Sequence, residues 1–561
     1  MTQLDFENIH SPTPTFDEVT RQYEELNQDW NAATSQDERL KVVQQWDQLR
    51  KDLETWDALV HLRFNQDTTN SQYQRDREYC DQLRPKLTEL AVDLKRKLLE
   101  SSHRASLATT MGQQCFSLWE SDVLTYHPSI EQDLVRESEL EAHYNQLTAG
   151  AEISFRGKTY SLSTIARFRE DPDRSTRHQA NQVTWRWFAE NRSQLDDIYT
   201  ELVNLRTTMS HQLGFNNFVE LGYKRMNRID YNAEDVTRYR DAVRDHVVPL
   251  CVELRKVQAK KLGVDPLTYW DEPVHDLAGN PRPDGDHDWL LGKAQEMFDA
   301  MNHGLDDFFK MMVQGKFMDL KVRQGKAGGG FCTSFPTPGV PFIFANFNGT
   351  KGDVEVFTHE VGHAFQCYMS RDQNLIDYLW PTYESCEIHS MSLEFLTWPY
   401  MEKFFGQDAE RFRLIHLAQS LLFLPYGVAV DHFQHLVYQQ ASASPDDRHQ
   451  MWQEVEQIYL PWRRYEDLEH LATGGQWQMQ RHIYLDPFYY IDYTLAQTCA
   501  LQFWQRSQEN YAEAMQSYVK LCQRGGEAPF QELCASADLV SPFKEGCLRK
   551  VVATAQRTLG M

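Results

Sequence analysis

The 561-residue chain lacks most of what would place it among nucleic-acid-binding, membrane-spanning or disulfide-stapled proteins. Positive charge is short: 57 Lys and Arg stand against 81 Asp and Glu, a net charge of −24. That balance excludes a phosphate backbone or an anionic membrane as an expected partner and fits an acidic, solvated surface. No uninterrupted apolar run approaches membrane-spanning length. The start, Met1-Thr2-Gln3-Leu4-Asp5-Phe6, has neither a basic nor an apolar stretch, so no signal peptide is expected. The ten cysteines, from Cys80 to Cys547, contain no Cys-x-x-Cys pair. They fit free buried thiols in a reducing compartment, and a cytoplasmic location is expected. Internal repeats and low-complexity tracts are absent as well.

What is present is helical periodicity. From Thr15 to about Ser102, apolar residues such as Phe16, Val19, Tyr23 and Leu26 recur three and four apart, which predicts long antiparallel helices. Residues 152–162 alternate around Arg156-Gly157 and predict a small β-hairpin. Helices resume over 176–213 and 233–261. Asp271 to Asp288, rich in Pro, Gly and Asp, reads as a loop between an N-terminal lobe, 1–270, and a C-terminal lobe, 271–561. Gly339–Gly349 reads as a strand, preceded by a flexible Lys326–Gly330 stretch. Arg411 to about Gln440 reads as an apolar helix pair. The fold class is therefore mainly α, with a small β-sheet.

The chemistry concentrates after the strand, in His359-Glu360-Val361-Gly362-His363. On a helix, His359 and His363 lie one above the other and can bind one metal ion together. Glu360 can reach a water on that ion as a general base. The bland alternative is a surface helix with two unconnected histidines. Against it stand the apolar Val356, Phe357, Val361, Ala364 and Phe365, and Gly362, a costly helix residue that suggests a close neighbour. A catalytic zinc takes three protein ligands and leaves one position open. A second apolar helix, after Pro381, carries Glu384, Glu387, His389 and Glu394. Glu387, 24 residues past His363, is spaced for two packed helices joined by a turn. Glu394 shares its face and is a candidate to orient a ligand histidine. His389 points elsewhere.

Two further stretches carry expectations. The strand before the metal helix could hold a peptide as an added strand through Ala345, Asn346 and Phe347, unless both its edges are paired. Asp486 and Pro487 would start a helix whose Tyr489, Tyr490 and Tyr493 hydroxyls can converge. A buried tyrosine needs a partner for its hydroxyl, and an oxyanion would be one. Aromatic packing is expected for at least one of the three.

His359-Glu-Val-Gly-His-Ala-Phe-Gln366, with Glu384-Ser-Cys-Glu-Ile-His-Ser-Met-Ser-Leu-Glu394, resembles the oligoendopeptidase F and thimet oligopeptidase family of zinc peptidases, most closely its bacterial oligoendopeptidase F and Pz-peptidase branch. The resemblance spans roughly residues 325 to 505. It implies that the third ligand is the first Glu of an E-x-x-S-x-x-L-E run, here Glu387, giving one zinc ion per chain on His359, His363 and Glu387. It implies that His482, Tyr493 and, less directly, Tyr490 and Tyr489 stabilise the transition state, although this segment lacks the glycines of the thimet form. It also implies a two-lobed helical body enclosing a deep channel for short peptides. The expected function is an endopeptidase acting on oligopeptides. A carboxypeptidase or dipeptidyl carboxypeptidase, and a non-catalytic peptide-binding helical protein, are the alternatives. Subunit number is not legible.

Overall fold

The computed structural model describes residues 4–561. Three long helices open the chain: α1 (Phe16–Ala32), α2 (Gln36–Gln66) and α3 (Ser71–Glu100). The first two start where the sequence supplies reciprocal caps. Thr15 pairs with Glu18, and Ser35 with Glu38, so orphan amides at each helix start are satisfied. One face of α1, with Val19, Tyr23, Leu26 and Trp30, packs against Trp46, Leu94 and Leu98 in a core of its own. That core also takes Leu375 and Tyr378 from far along the chain. Another apolar core runs from Ile9 to Ala555. Tyr269 and Trp270 before the Pro/Gly/Asp-rich loop share it with Leu290 after it. The larger core thus joins residues on both sides of position 270.

The hairpin forms as expected, β1 (Ile153–Phe155) pairing with β2 (Lys158–Tyr160). A second sheet joins β3 (Met318–Lys321), β4 (Phe331–Phe335) and β5 (Val340–Phe347) in the order β3-β5-β4. β5 runs parallel to β3 and antiparallel to β4. It is the central strand, so the expectation that Ala345, Asn346 and Phe347 offer a free edge is corrected. The Ala345 carbonyl accepts from Lys326 Nζ at 2.6 Å. The Asn346 amide donates to the carbonyls of Ala327 and Gly329, each at 2.9 Å. Phe347 is paired with Lys321. β3 and β4 are the edge strands, and α2 packs beside β4, with the Thr55 and Thr337 hydroxyls 3.2 Å apart.

Two more expectations change. Ala409–Gln439 is one helix that runs through Pro425, not a pair. It belongs to a segment long and apolar enough to cross a membrane, which the sequence reading did not register. Most of its apolar residues are buried inside the protein, as in a core helix. The tyrosine helix starts at Tyr490, not at Pro487. Phe488 takes a left-handed φ of 69°, and its carbonyl accepts from Arg228 at 2.5 Å. That contact holds the chain in a kink and delays the helix.

The helix Lys351–Ser370 lies against Tyr383–Leu396, and Gly362 sits at their contact. A Cβ at residue 362 would stand 2.6 Å from the Ser390 Cα and 2.7 Å from the His389 carbonyl oxygen. Both are backbone atoms with no room to yield, which explains a glycine inside a helix. Gly362→Ala is expected to destabilise the metal-free protein by about 1–3 kcal/mol in denaturant unfolding. Unchanged stability would show that the two helices do not meet there.

Candidate active site

The two packed helices bring three donor atoms together. His359 and His363, one helical turn apart, have ring centroids 5.0 Å apart. Glu387 Oε2 lies 3.3 Å from His359 Nε2 and 3.4 Å from His363 Nε2. The three ligand atoms all fall within 4.8 Å of one another, a set that could hold a metal ion. Burial alone would raise the Glu387 carboxyl; the imidazoles of His363 and His359 outweigh it and hold it well below its ordinary value. Ser390 Oγ donates to Glu387 Oε2 at 3.1 Å, and the Tyr489 hydroxyl donates to Oε1 at 2.8 Å. Glu394 Oε1 accepts from His359 Nδ1 at 2.8 Å, the orienting contact expected of it. Its other oxygen faces His416 Nε2 at 2.8 Å, a partner that the sequence reading missed.

Glu360 is buried between this cluster and the start of β4. A Cβ at Gly330 would lie 3.5 Å from Glu360 Oε1, and Glu360 Oε2 has no hydrogen-bond partner. Burial raises its carboxyl, and the nearby His359 and His363 limit that rise. His389 is fully buried, and burial pushes it down to about 4, so it is a neutral core residue that does not face the site.

These groups open onto a cavity of about 820 Å³. It is lined by Glu360, Tyr489 and Tyr493, by β4 from Phe331 to Ser334, and by Glu54, Asp57 and His61 of α2. Sequence reasoning missed β4 and α2 because their pattern records burial and helix period but not which distant segments face each other. A second trio, Asp57, His61 and Cys80, also falls within 4.8 Å. Arg77 and Arg84 each approach one nitrogen of the His61 ring, and Arg84 pairs with Asp57. Two guanidinium charges at that distance oppose a cation. Burial, with those arginines adding to it, pushes His61 down to about 4.

The structure separates the tyrosines. The rings of Tyr489 and Tyr493 lie 4.8 Å apart and both line the cavity. Tyr490 turns away and packs on Phe423 and Tyr426, so its expected oxyanion contact is corrected to aromatic packing. His482 stands behind the tyrosines, within 5.8 Å of all three rings, and is not among the described residues lining the cavity.

A half-buried pair of histidines and a buried carboxylate, with a free carboxylate beside them in a peptide-sized cavity, defines a hydrolytic metallopeptidase site. The comparisons agree. The Peptidase family M3 matches residues 294–552, and the Peptidase M3 N-terminal domain matches residues 6–126. The latter match covers helices in which no motif could be read. A structure provisionally named oligoendopeptidase F is 44% identical, with 99% of each chain covered and a TM-score of 0.96. Pz peptidase A, solved with an inhibitor, is 42% identical, with 99% of each chain covered and a TM-score of 0.96. A protein from Bacillus anthracis strain Ames, also provisionally named oligoendopeptidase F, is 41% identical over 99% of this chain and 98% of its own, with a TM-score of 0.91. No curated protein sequence matches. The chain belongs to peptidase family M3. Within it, the chain is a metalloendopeptidase of the oligopeptidase kind.

Tyr493→Phe is expected to lower kcat by about 10²–10³ with little change in KM, the loss typical of one oxyanion donor. Tyr490→Phe is expected to stay near the parent rate. Steady-state kinetics on one peptide compares them, and equal losses would refute the division between the two tyrosines.

Proposed function

We propose that the chain is a zinc-dependent endopeptidase whose metal is held by His359, His363 and Glu387. The observation that carries this reading is the approach of Glu387 Oε2 to within 3.3 and 3.4 Å of the two imidazole nitrogens. Two nitrogens and one oxygen on one side, with a cavity on the other, fit a catalytic zinc that keeps a position open. When bound, zinc supplies a Lewis acid and makes a water acidic enough to serve as nucleophile at neutral pH.

The protein's own residues do the rest. Glu360, with its free buried oxygen, takes the proton of the attacking water and returns it to the leaving amine. The Tyr493 hydroxyl donates to the oxygen of the scissile carbonyl as charge develops there. Tyr489 and Ser390 hold Glu387 in place. His482 supports the tyrosine rings from behind. The peptide lies along the outer edge of β4, where main-chain hydrogen bonds fix it whatever its side chains. Walls on both sides limit the cavity to short, unfolded chains. Ten unpaired cysteines, most of them buried, support a reducing compartment such as the cytoplasm.

The described cavity-lining residues include no lysine or arginine. A carboxypeptidase holds the terminal carboxylate with a cation or a tyrosine, and the lack of a cation favours cleavage of internal bonds. The protein is expected to cleave a quenched peptide with an amidated C-terminus. Glu360→Gln should retain its zinc while losing about 10²–10⁴-fold in turnover. Parent-like activity in that variant, or cleavage only of peptides with a free C-terminus, would overturn the reading.

A further inference from the structure

We propose that Trp398 and His416 are positioning residues that hold Glu394 where it presents one nitrogen of His359 to the metal; this rests on the reading of His359 as a ligand. The argument is one of hydrogen-bond direction. An indole N–H can only donate. Trp398 Nε1 lies 3.1 Å from His416 Nδ1, so that imidazole nitrogen accepts and carries no proton. The His416 proton is therefore on Nε2, which donates to Glu394 Oε2 at 2.8 Å. A proton on Nδ1 instead would set two donors against each other at 3.1 Å.

Glu394, a pure acceptor when ionised, is thus held at both oxygens. Its Oε1 takes the His359 Nδ1 proton at 2.8 Å. That leaves Nε2, the nitrogen that faces Glu387 Oε2, as the ligand atom that His359 offers the metal. Trp398 fixes the direction of the His416 link, and the ionised Glu394 fixes that of the His359 link.

The relay crosses three helices and a turn. His359 is on the helix Lys351–Ser370, Glu394 on Tyr383–Leu396, and Trp398 in the turn that follows. His416 comes from Ala409–Gln439. The far end is locked by packing. Trp398 and His416 are each 5% exposed, and the His416 ring lies against Phe395 and, nearly parallel, Phe412. The other imidazole has nothing equivalent, since His363 Nδ1 is buried without a partner among the described residues. The two histidines of the motif therefore differ: His359 is anchored through two further residues and His363 is not. Sequence could not show this, because neither Trp398 nor His416 belongs to the metal motif.

The test is made on the full-length protein, with two readouts. Ring ¹⁵N shifts should show neutral His416 protonated at Nε2 and bare at Nδ1. Zinc affinity is measured by competition with a chromophoric chelator. His416→Phe, which keeps the ring packing but removes the donor to Glu394, should weaken zinc by about 10–100-fold. His416→Gln, whose amide can still donate, should recover most of that loss. Equal weakening in the two variants, or none in either, would overturn the proposal, as would a His416 protonated at Nδ1. If His416→Phe does not fold, the ¹⁵N measurement on the parent chain decides. A parent chain that binds no zinc would defeat the functional reading, while the ¹⁵N result would still judge the relay.

Discussion

A carboxylate buried between two imidazoles is the interaction on which the rest of this structure depends. Glu387 alone at that depth would be costly, because an unpaired buried charge loses its hydration without return. His359 and His363 offset that cost and hold the carboxyl well below its ordinary value against the effect of burial. The three groups meet only because two helix backbones approach closely, and they do so because residue 362 has no side chain to keep them apart. The contacts from Ser390, Tyr489 and Glu394 then fix the remaining freedom of the carboxylate and of one ring.

The surrounding architecture turns this cluster into a site of limited access. The three-stranded sheet places its edge strand β4 near Glu360, and α2 lines the same cavity. Tyr489 and Tyr493 stand on the same side as Glu387, so groups able to hold a ligand, take a proton and donate to an oxyanion face one space. Catalytic power in such a site comes from preorganised polar groups that need no rearrangement as charge develops. The buried relay behind His359 extends that preorganisation into the core.

How much of this was legible in the sequence follows from the range of the interactions. The i, i+4 histidines, Glu360 between them and the unusual Gly362 are local, and helix geometry alone brings them into play. Glu387 and Glu394 were readable because their helix follows after one turn and carries its own periodicity. The strand was readable as a strand, but its central place was not. Sheet order depends on β3, which precedes the glycine stretch and pairs parallel to β5. The start of the tyrosine helix was misplaced for the same reason: Arg228, some 260 residues earlier, holds the Phe488 carbonyl in the kink. Asp57, His61 and Cys80 show the converse. They lie as close together as a metal trio, yet two guanidinium groups beside them make the site unsuitable for a cation.

The most direct measurement is X-ray absorption at the zinc edge on protein loaded with one zinc per chain. The account predicts a first shell of nitrogen and oxygen only, at about 2.0–2.2 Å, with an imidazole signature from His359 and His363. A sulfur scatterer at about 2.3 Å would place the ion with a cysteine such as Cys80 and contradict the assignment.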